Sequence, residues 1–303
     1  MRIAILSSQE GWHVNALQAA LVARGVEAPL VPITRLLARV GGRACLECEG
    51  VALEACDGVI VRTIPGGSLE QIIFRMDALH RLEELGVRVV NSPAAIERTV
   101  DKYYTSFLLE DAGVPTPRTI VAENLDQAMA AFEELGDVVV KPLFGSEGKG
   151  IVRVADEDSA YRAFRALELG RYVYYVQEFI PHRNEDIRAF VLGGRVLAAM
   201  RRRAPGWKTN VAQGARVEPV TLAADLESLS LRAARAVGAV YAGVDLLQAE
   251  DGRSYVVEVN GVPGWRGLQR TTPVDVGASI AEHIWGLCAR QPAAADGRAA
   301  RLP

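Results

Sequence analysis

Over residues 1–92 the apolar residues alternate between two spacings. Short unbroken blocks at Ile3–Leu6, Gly58–Val61 and Val87–Val90 predict strands covered on both faces. Between them, Asn15–Arg24 carries helical spacing closed by Gly25. Ser68 caps a longer run in which Leu69, Ile72, Ile73, Met76, Leu79, Leu82 and Leu85 return every three or four residues until Gly86. Strand and helix in strict alternation predict a small, open, parallel sheet. No G-x-G-x-x-G opens any of these helices, so the pattern does not support dinucleotide binding.

Past residue 96 the rhythm changes. Glu97–Glu110 reads as one helix with Val100, Tyr104, Phe107 and Leu108 on one side, stopped by Gly113 and Pro115. Helices are expected at Leu125–Leu135, Ser159–Leu167, Thr221–Val237 and Val276–Leu287, and strands at Val138–Lys141, Ile151–Val154 and Tyr172–Gln177. Ile187–Val191 and Arg195–Met200 form a hairpin over Gly193-Gly194. The fold class is α/β with α+β character. A Rossmann-like domain is expected over 1–96, a second domain over 97–290 (subdivided into 97–180 and 181–290), and a loose tail over 291–303.

Composition narrows the classes. The chain has 303 residues, half of them apolar, which suits two or three packed units. A net charge of −3 provides no basic field for nucleic acid. No apolar run reaches the roughly 18 residues of a membrane span, and the opening MRIAILSS reads as a strand rather than a signal segment. Cys45-x-x-Cys48 has no second ligand pair to make a zinc site, so the four cysteines are read as ordinary thiols of a cytoplasmic protein.

The richest chemistry lies in D-L-L-Q-A-E-D-G-R-S-Y-V-V-E-V-N, residues 245–260. Taking Asp251-Gly252 as a two-residue turn places Asp245 opposite Glu258, with Asn260 on the same face as Glu258. Facing carboxylates repel unless a hard cation lies between them, and an all-oxygen set suits Mg²⁺, with Mn²⁺ as the alternative. The loop F-G-S-E-G-K-G, residues 144–150, has glycines that let backbone N–H groups converge on an anion, though its spacing is not that of a P-loop. Lys141 ends a strand against Pro142, Gln177-Glu178-Phe179-Ile180 ends another before Pro181, and Asp186 and Arg188 share a strand face.

The ordered set Lys102, Lys141, Gly-Ser-x-Gly-x-Gly, Gln-Glu-Phe-Ile, Asp-Ile-Arg, Arg-Arg, Thr-Asn, Val-Asp and Glu-Val-Asn resembles the ATP-grasp ligases. It is similar above all to the RimK-like group, which adds L-glutamate to a carboxylate. The resemblance implies that Lys102, Lys141 and the loop residues Gly145, Ser146, Gly148, Lys149 and Gly150 meet the ATP phosphates. It implies that Gln177, Glu178, Phe179 and Ile180 line the adenine, that Asp186 reaches the ribose, and that Lys208, Thr209 and Asn210 approach the nucleotide. Asp245, Glu258 and Asn260 match the metal ligands, and Arg202 the arginine aimed at the transferred phosphoryl group.

A two-residue turn at Gly193-Gly194 pairs Asp186 with Arg201 and turns Arg202 away, so the resemblance requires a bulge or a longer turn there. Ribosomal-protein modifiers of the group carry a histidine two residues after the asparagine matching Asn210, where this chain has Ala212. The N-S-P-A-A-I-E-R-T-V-D-K-Y-Y-T stretch is closer to ligases that glutamylate tetrahydromethanopterin-type cofactors. Lysine-biosynthesis ligases acting on aminoadipate are a third alternative.

The implied reaction forms an amide through an acyl phosphate and uses no side-chain nucleophile. Both non-nucleotide substrates are anionic, which directs attention to Arg62 after the Gly58–Val61 strand, to Arg188, and to Arg266 in V-P-G-W-R-G. The partners expected are small molecules, with no nucleic acid and no membrane; the sequence leaves the oligomeric state open, and dimers or tetramers are common in the group it resembles. A regulatory module that binds ATP without turnover is the reading from another class.

Overall fold

In the computed structural model, residues 1–41, 45–145, 148 and 150–290 are described. They divide into two compact units. The first comprises Met1–Ile96, Ala239–Tyr241 and the chain from Val262 onward; the second comprises Glu97–Gly238 and Ala242–Gly261.

The first unit is built on β1 (Ile3–Ser7), α1 (Trp12–Val22), β2 (Leu30–Pro32), β3 (Leu36–Arg39), β4 (Cys45–Cys48), β5 (Val51–Ala52), β6 (Gly58–Val61), α2 (Leu69–Glu84) and β7 (Arg88–Val90). Four strands form a parallel sheet, in the order β2-β1-β6-β7; β1, β6 and β7 are the expected apolar blocks, and β2 was not foreseen. Its core gathers Ala4, Leu6, Val59, Val61, Met76, Leu79 and Leu82. Ser68 begins α2 with a reciprocal capping box: Gln71 N donates to Ser68 Oγ at 3.3 Å and Ser68 N to Gln71 Oε1 at 3.1 Å. The antiparallel sheet β3-β4-β5 was not foreseen, because its strands are too short to show a period. Cys48 is buried in it and donates to Pro32 O at 3.1 Å.

Glu97–Glu110 is not one helix. The chain forms α3 (Pro93–Val100) and α4 (Lys102–Asp111), broken at Asp101, whose carboxylate caps α4 by accepting from Tyr104 N at 3.0 Å. The break turns α4, so Thr105 and Leu109 are buried while Val100, Tyr104 and Phe107 are exposed.

The second unit continues with β8 (Thr119–Ala122), α5 (Leu125–Leu135), β9 (Val138–Lys141), β10 (Val152–Val154), α6 (Glu157–Leu169) and β11 (Tyr174–Glu178). These strands form an antiparallel sheet in the order β10-β9-β11-β8, and α5 and α6 cover one face. Phe164 and Tyr174 meet edge to face in that core, with ring centroids 5.5 Å apart. Then come β12 (Glu185–Leu192), β13 (Arg195–Arg203), β14 (Arg216–Pro219), α7 (Ala224–Ala236), β15 (Tyr241–Gln248) and β16 (Ser254–Asn260). Their sheet runs β14-β13-β12-β15-β16. Finally α8 (Arg266–Gln269) and α9 (Val276–Ala289) rejoin the first unit, where α9 packs against α1. Among the described residues no helix is long and apolar enough to cross a membrane.

Both hairpins depart from the simplest turn. Gly193 and Gly194 do form a two-residue turn with positive φ. Beyond it, however, a bulge opposite Phe190/Val191 shifts the register, so Asp186 pairs with Arg202 and not with Arg201. At the other hairpin Ala249 N donates to Arg253 O, and Gly252 takes a φ of +88°, which makes the loop one residue longer than expected. A second bulge, between Asp245 and Leu246 in the register, restores the opposition of Asp245 and Glu258.

Candidate functional site

Strand alternation decides which side chains of β9 and β11 serve the core and which line a pocket on the other face. Val138, Val140, Tyr174 and Val176 enter the core under α5 and α6, whereas Val139, Lys141 and Gln177 line the pocket. Lys141 Nζ donates to Gln177 Oε1 at 2.5 Å and lies 5.8 Å from the Tyr175 ring centroid. Gln177 is fixed in turn by donating to Thr119 Oγ1 at 2.9 Å and Tyr175 Oη at 3.0 Å. Burial pushes the Lys141 ammonium down to about 8; Glu258 opposes that shift and Lys102 adds to it.

Where β11 ends, Phe179 and Ile180 pass into an apolar slot with Pro117, Val139, Ile151, Trp207, Leu247 and Val257, and Glu178 lines the same pocket. The Arg153 guanidinium sits 3.6 Å from the Phe179 ring centroid, and Trp207 meets that ring edge-on at 6.0 Å. His182 is held between Ile180 O and Trp207 O, at 2.7 and 3.1 Å.

The glycine-rich loop precedes Ile151 of this slot; its Ser146, Glu147 and Lys149 lie outside the described residues. Lys102 Nζ donates to the carbonyls of Leu143 (3.3 Å) and Gly145 (2.9 Å), and Lys208 Nζ to Ile151 O at 2.6 Å. The two lysines thus hold the flanks of the loop by its carbonyls. Burial lowers the Lys102 pKa, against the pull of Glu258 and Asp101. Gly148, at φ +71°, packs so closely on the next loop that a Cβ would run into the Asn210 amide and come within 2.9 Å of Gln213 Nε2.

The second sheet supplies charge. Asp186 and Arg188 on β12, Arg202 on β13 and Asp245 on β15 form one chain of ion pairs, with Asp186, Arg202 and Asp245 each at most 5% exposed. Arg202 grips Asp186 through Nε (2.6 Å) and Nη2, and Nη2 also lies 3.0 Å from Asp245. Arg188 grips Asp245 in the same forked way, at 2.7 and 2.6 Å. Asp245, held by two arginines, stays charged below the usual range although burial works the other way. Asp186 is met, among the described residues, by Arg202 and the Thr209 hydroxyl, and burial raises its pKa. Arg202 is held charged between them despite its burial.

Among the described residues Glu258, opposite Asp245, has no hydrogen-bond or ion-pair partner, and the Asn260 Nδ2 atom is buried without one. Among the described residues no group of three or more His, Cys, Asp and Glu is placed for a metal. The oxygen set is two carboxylates and an amide, which fits a cation that takes its remaining ligands from water and phosphate. The orphaned amide agrees with that fit, because reversing the Asn260 side chain turns Oδ1 to the place where Nδ2 finds nothing.

The three arginines singled out for anionic substrates are divided between the two units. Arg188 belongs to the second unit and is engaged by Asp245. Arg62 and Arg266 belong to the first, the former buried and the latter exposed. Sequence reasoning passed over Arg153, His182 and Trp207, whose contacts with Phe179 span 25 residues or more for two of the three. The one local signal was an aromatic residue directly before Lys208-Thr209-Asn210.

Family models match both parts of the chain, a RimK PreATP-grasp domain over residues 1–96 and a RimK-like ATP-grasp domain over residues 99–284. A tetrahydromethanopterin:alpha-L-glutamate ligase of Methanococcus maripaludis is 34% identical over 285 residues, covering 92% of this chain and 96% of the relative. The protein of that name from Methanocaldococcus jannaschii is 35% identical over 291 residues, covering 94% and 98%. Among solved structures, the ATP-grasp ligase PsnB complexed with minimal precursor, Mg and ADP has the same fold. Its TM-score is 0.73 at 24% identity, over 95% of this chain and 98% of that one.

Proposed function

The chain belongs to the RimK-like ATP-grasp family, and from that premise we propose that it joins L-glutamate to tetrahydromethanopterin at the expense of ATP. It is an ATP-grasp ligase. In the proposed reaction an acceptor carboxylate oxygen attacks the γ-phosphorus, ADP leaves, and the glutamate amine displaces phosphate from the acyl phosphate. The observation that carries the reading is a single pocket lined by a half-buried lysine, a buried arginine, carboxylates and an apolar slot edged by Phe179 and Trp207.

Within it, Ile180, Phe179, Glu178 and Gln177 would receive the adenine, and Asp186, Lys208, Thr209 and Asn210 the sugar and its phosphates. Lys102, Lys141 and the glycine-rich loop would meet the phosphates. Arg202 spends Nε and Nη2 on carboxylates, which leaves Nη1 for the transferred phosphoryl group. Asp245, Glu258 and Asn260 would hold Mg²⁺, or Mn²⁺ in its place, which when bound neutralises phosphate charge. Asp245 must loosen one arginine contact to serve it. The setting we propose is the cytoplasm, where the buried thiols Cys48, Cys56 and Cys288 remain reduced.

Incubation with ATP, L-glutamate and tetrahydromethanopterin should give ADP and a pterin heavier by one glutamyl residue. Ribosomal-protein C-terminal peptides and aminoadipate-bearing acceptors should be inactive. Activity on either of those alone would reassign the acceptor, and ADP release with no acceptor present would count against a ligase.

Two further outcomes follow from the geometry. The free enzyme should lose the Lys141 proton as pH rises through about 8, so kcat/KM for ATP should fall there. Lys141→Arg, whose guanidinium keeps its charge, should remove that alkaline limb; an unchanged limb would show that another group titrates. Gly148→Ala forces a left-handed φ on a residue with a Cβ, at a cost of about 1–3 kcal/mol, and pushes against Asn210. Calorimetry should then find ATP binding weakened by roughly tenfold, the equivalent of about 1.4 kcal/mol, and an unaltered Kd would remove the loop from the phosphate site.

A further inference from the structure

The first unit holds a second cluster of donors, none of them among the residues just assigned to ATP. Strands β1 and β6 end side by side in the parallel sheet, at Ser7 and at Val61, and Arg62 and Thr63 follow. Helix α1 begins at Trp12 with Gly11 as its N-cap and no side-chain cap. Its first intrahelical bond runs from Asn15 N to Gly11 O, so the N–H groups of Trp12, His13 and Val14 lie outside the helix ladder. Ser7, Gly11, His13, Arg62 and Thr63 line one pocket.

Arg62 is the second, independent pointer to a ligand. It is 7% exposed, and it donates only to neutral oxygens, Tyr241 Oη at 3.2 Å and Pro263 O at 3.0 Å. Its guanidinium carbon stands 4.6 Å from the Trp265 ring centroid, and its Nε has no partner. No carboxylate among the described residues forms an ion pair with it, although a buried charge without a counter-charge is costly. His13 does not supply one. Its Nε2 accepts from Trp265 N (3.0 Å) and Arg266 N (3.2 Å), which leaves the proton on Nδ1. Burial, Arg62 and Arg266 together push its pKa to about 4, so the ring is neutral. Glu10, the acid in the pocket lining, is exposed and unpaired.

We infer that this pocket binds a carboxylate of a non-nucleotide substrate, received by the Arg62 guanidinium, the first-turn N–H groups of α1 and the Thr63 hydroxyl, while the Ser7 hydroxyl donates to Gln9 O at 2.8 Å. The inference rests on the ligase reading only in naming the source, glutamate or the acceptor. One guanidinium, with Glu10 beside it, suits a single negative charge better than a phosphate dianion.

Calorimetry on the full chain with a non-hydrolysable ATP analogue tests it, using L-glutamate, tetrahydromethanopterin, succinate and inorganic phosphate as separate titrants. At least one carboxylate should bind more tightly than phosphate. Arg62→Gln should weaken that binding tenfold or more and Thr63→Val by a few fold, each with the Kd of the ATP analogue unchanged. Thr63→Val preserves side-chain volume and so reports even if Arg62→Gln folds poorly. The titrant affected, glutamate or pterin, identifies the source. Tighter phosphate binding, no carboxylate binding, or carboxylate binding equal in parent and variants would each overturn the proposal. A failure of the ligase reading would look different, with carboxylate binding still dependent on Arg62 but no ADP formed with any acceptor.

Discussion

Glu258→Gln is expected to slow ADP formation by about 10²-fold or more while ATP still binds, the scale on which one preorganised electrostatic contact to a transition state is worth. The substitution preserves size and hydrogen bonding and removes one charge. Among the described residues no arginine forms an ion pair with Glu258, whereas Asp245 opposite it is held by two. Its charge is therefore available to a cation bridging to phosphate. Glu258 lines the same pocket as Phe179 and Trp207, but the aromatic contacts of Phe179 are made with Arg153, His182 and Trp207, so nucleotide affinity should change much less than turnover. Asp245→Asn should act alike, and the double variant should lose far less than the product of the two, since both would serve one ion. Near-parental turnover in either single variant at saturating Mg²⁺ would remove the hairpin from the mechanism.

Arg202→Met is expected to destabilise the fold by about 3–5 kcal/mol, the penalty for removing one partner of a buried ion pair. Arg202 is 2% exposed and is shared by Asp186 and Asp245. Asp245 retains Arg188, but Asp186 is left with a hydroxyl partner in a buried position. Burial already raises the Asp186 pKa, and losing Arg202 raises it further. A carboxyl whose folded pKa exceeds its unfolded value disfavours folding when charged, so the deficit should shrink as the pH falls and Asp186 protonates. Urea denaturation of parent and variant at neutral and mildly acidic pH measures this. A deficit independent of pH would mean that the loss is one of packing, and no deficit would mean that the ion-pair chain contributes nothing to stability. Arg202→Lys keeps the charge but not the fork, and should fall between the two.

The parts of the molecule legible from sequence are those in which a local rule and the tertiary demand agree. Strands β1, β6 and β7 of the first unit's parallel sheet were readable because they are continuous apolar blocks, and α2 because Ser68 and Gln71 announce its start. The opposition of Asp245 and Glu258 was found by counting from a two-residue turn, although the chain reaches it with a longer loop and a compensating bulge. The pairing of Asp186 was not readable, because one bulged residue on β13 exchanges Arg201 for Arg202, and nothing in V-L-A-A-M marks where a bulge falls. The helix break at Asp101 was hidden for a related reason, since a capping aspartate looks like any charged residue within a helical run. Least legible were partners distant in sequence. Arg188 and Arg153 were visible as charges, but that one would hold Asp245 and the other cover Phe179 depends on contacts the linear pattern does not contain.

The reaction itself is tested most directly by following oxygen. With an acceptor whose carboxylate carries ¹⁸O, turnover through an acyl phosphate must move one labelled atom into the inorganic phosphate released with ADP. Labelled phosphate formed in step with the amide, and only when L-glutamate and acceptor are both present, is the predicted result. Unlabelled phosphate, or AMP in place of ADP, would contradict it.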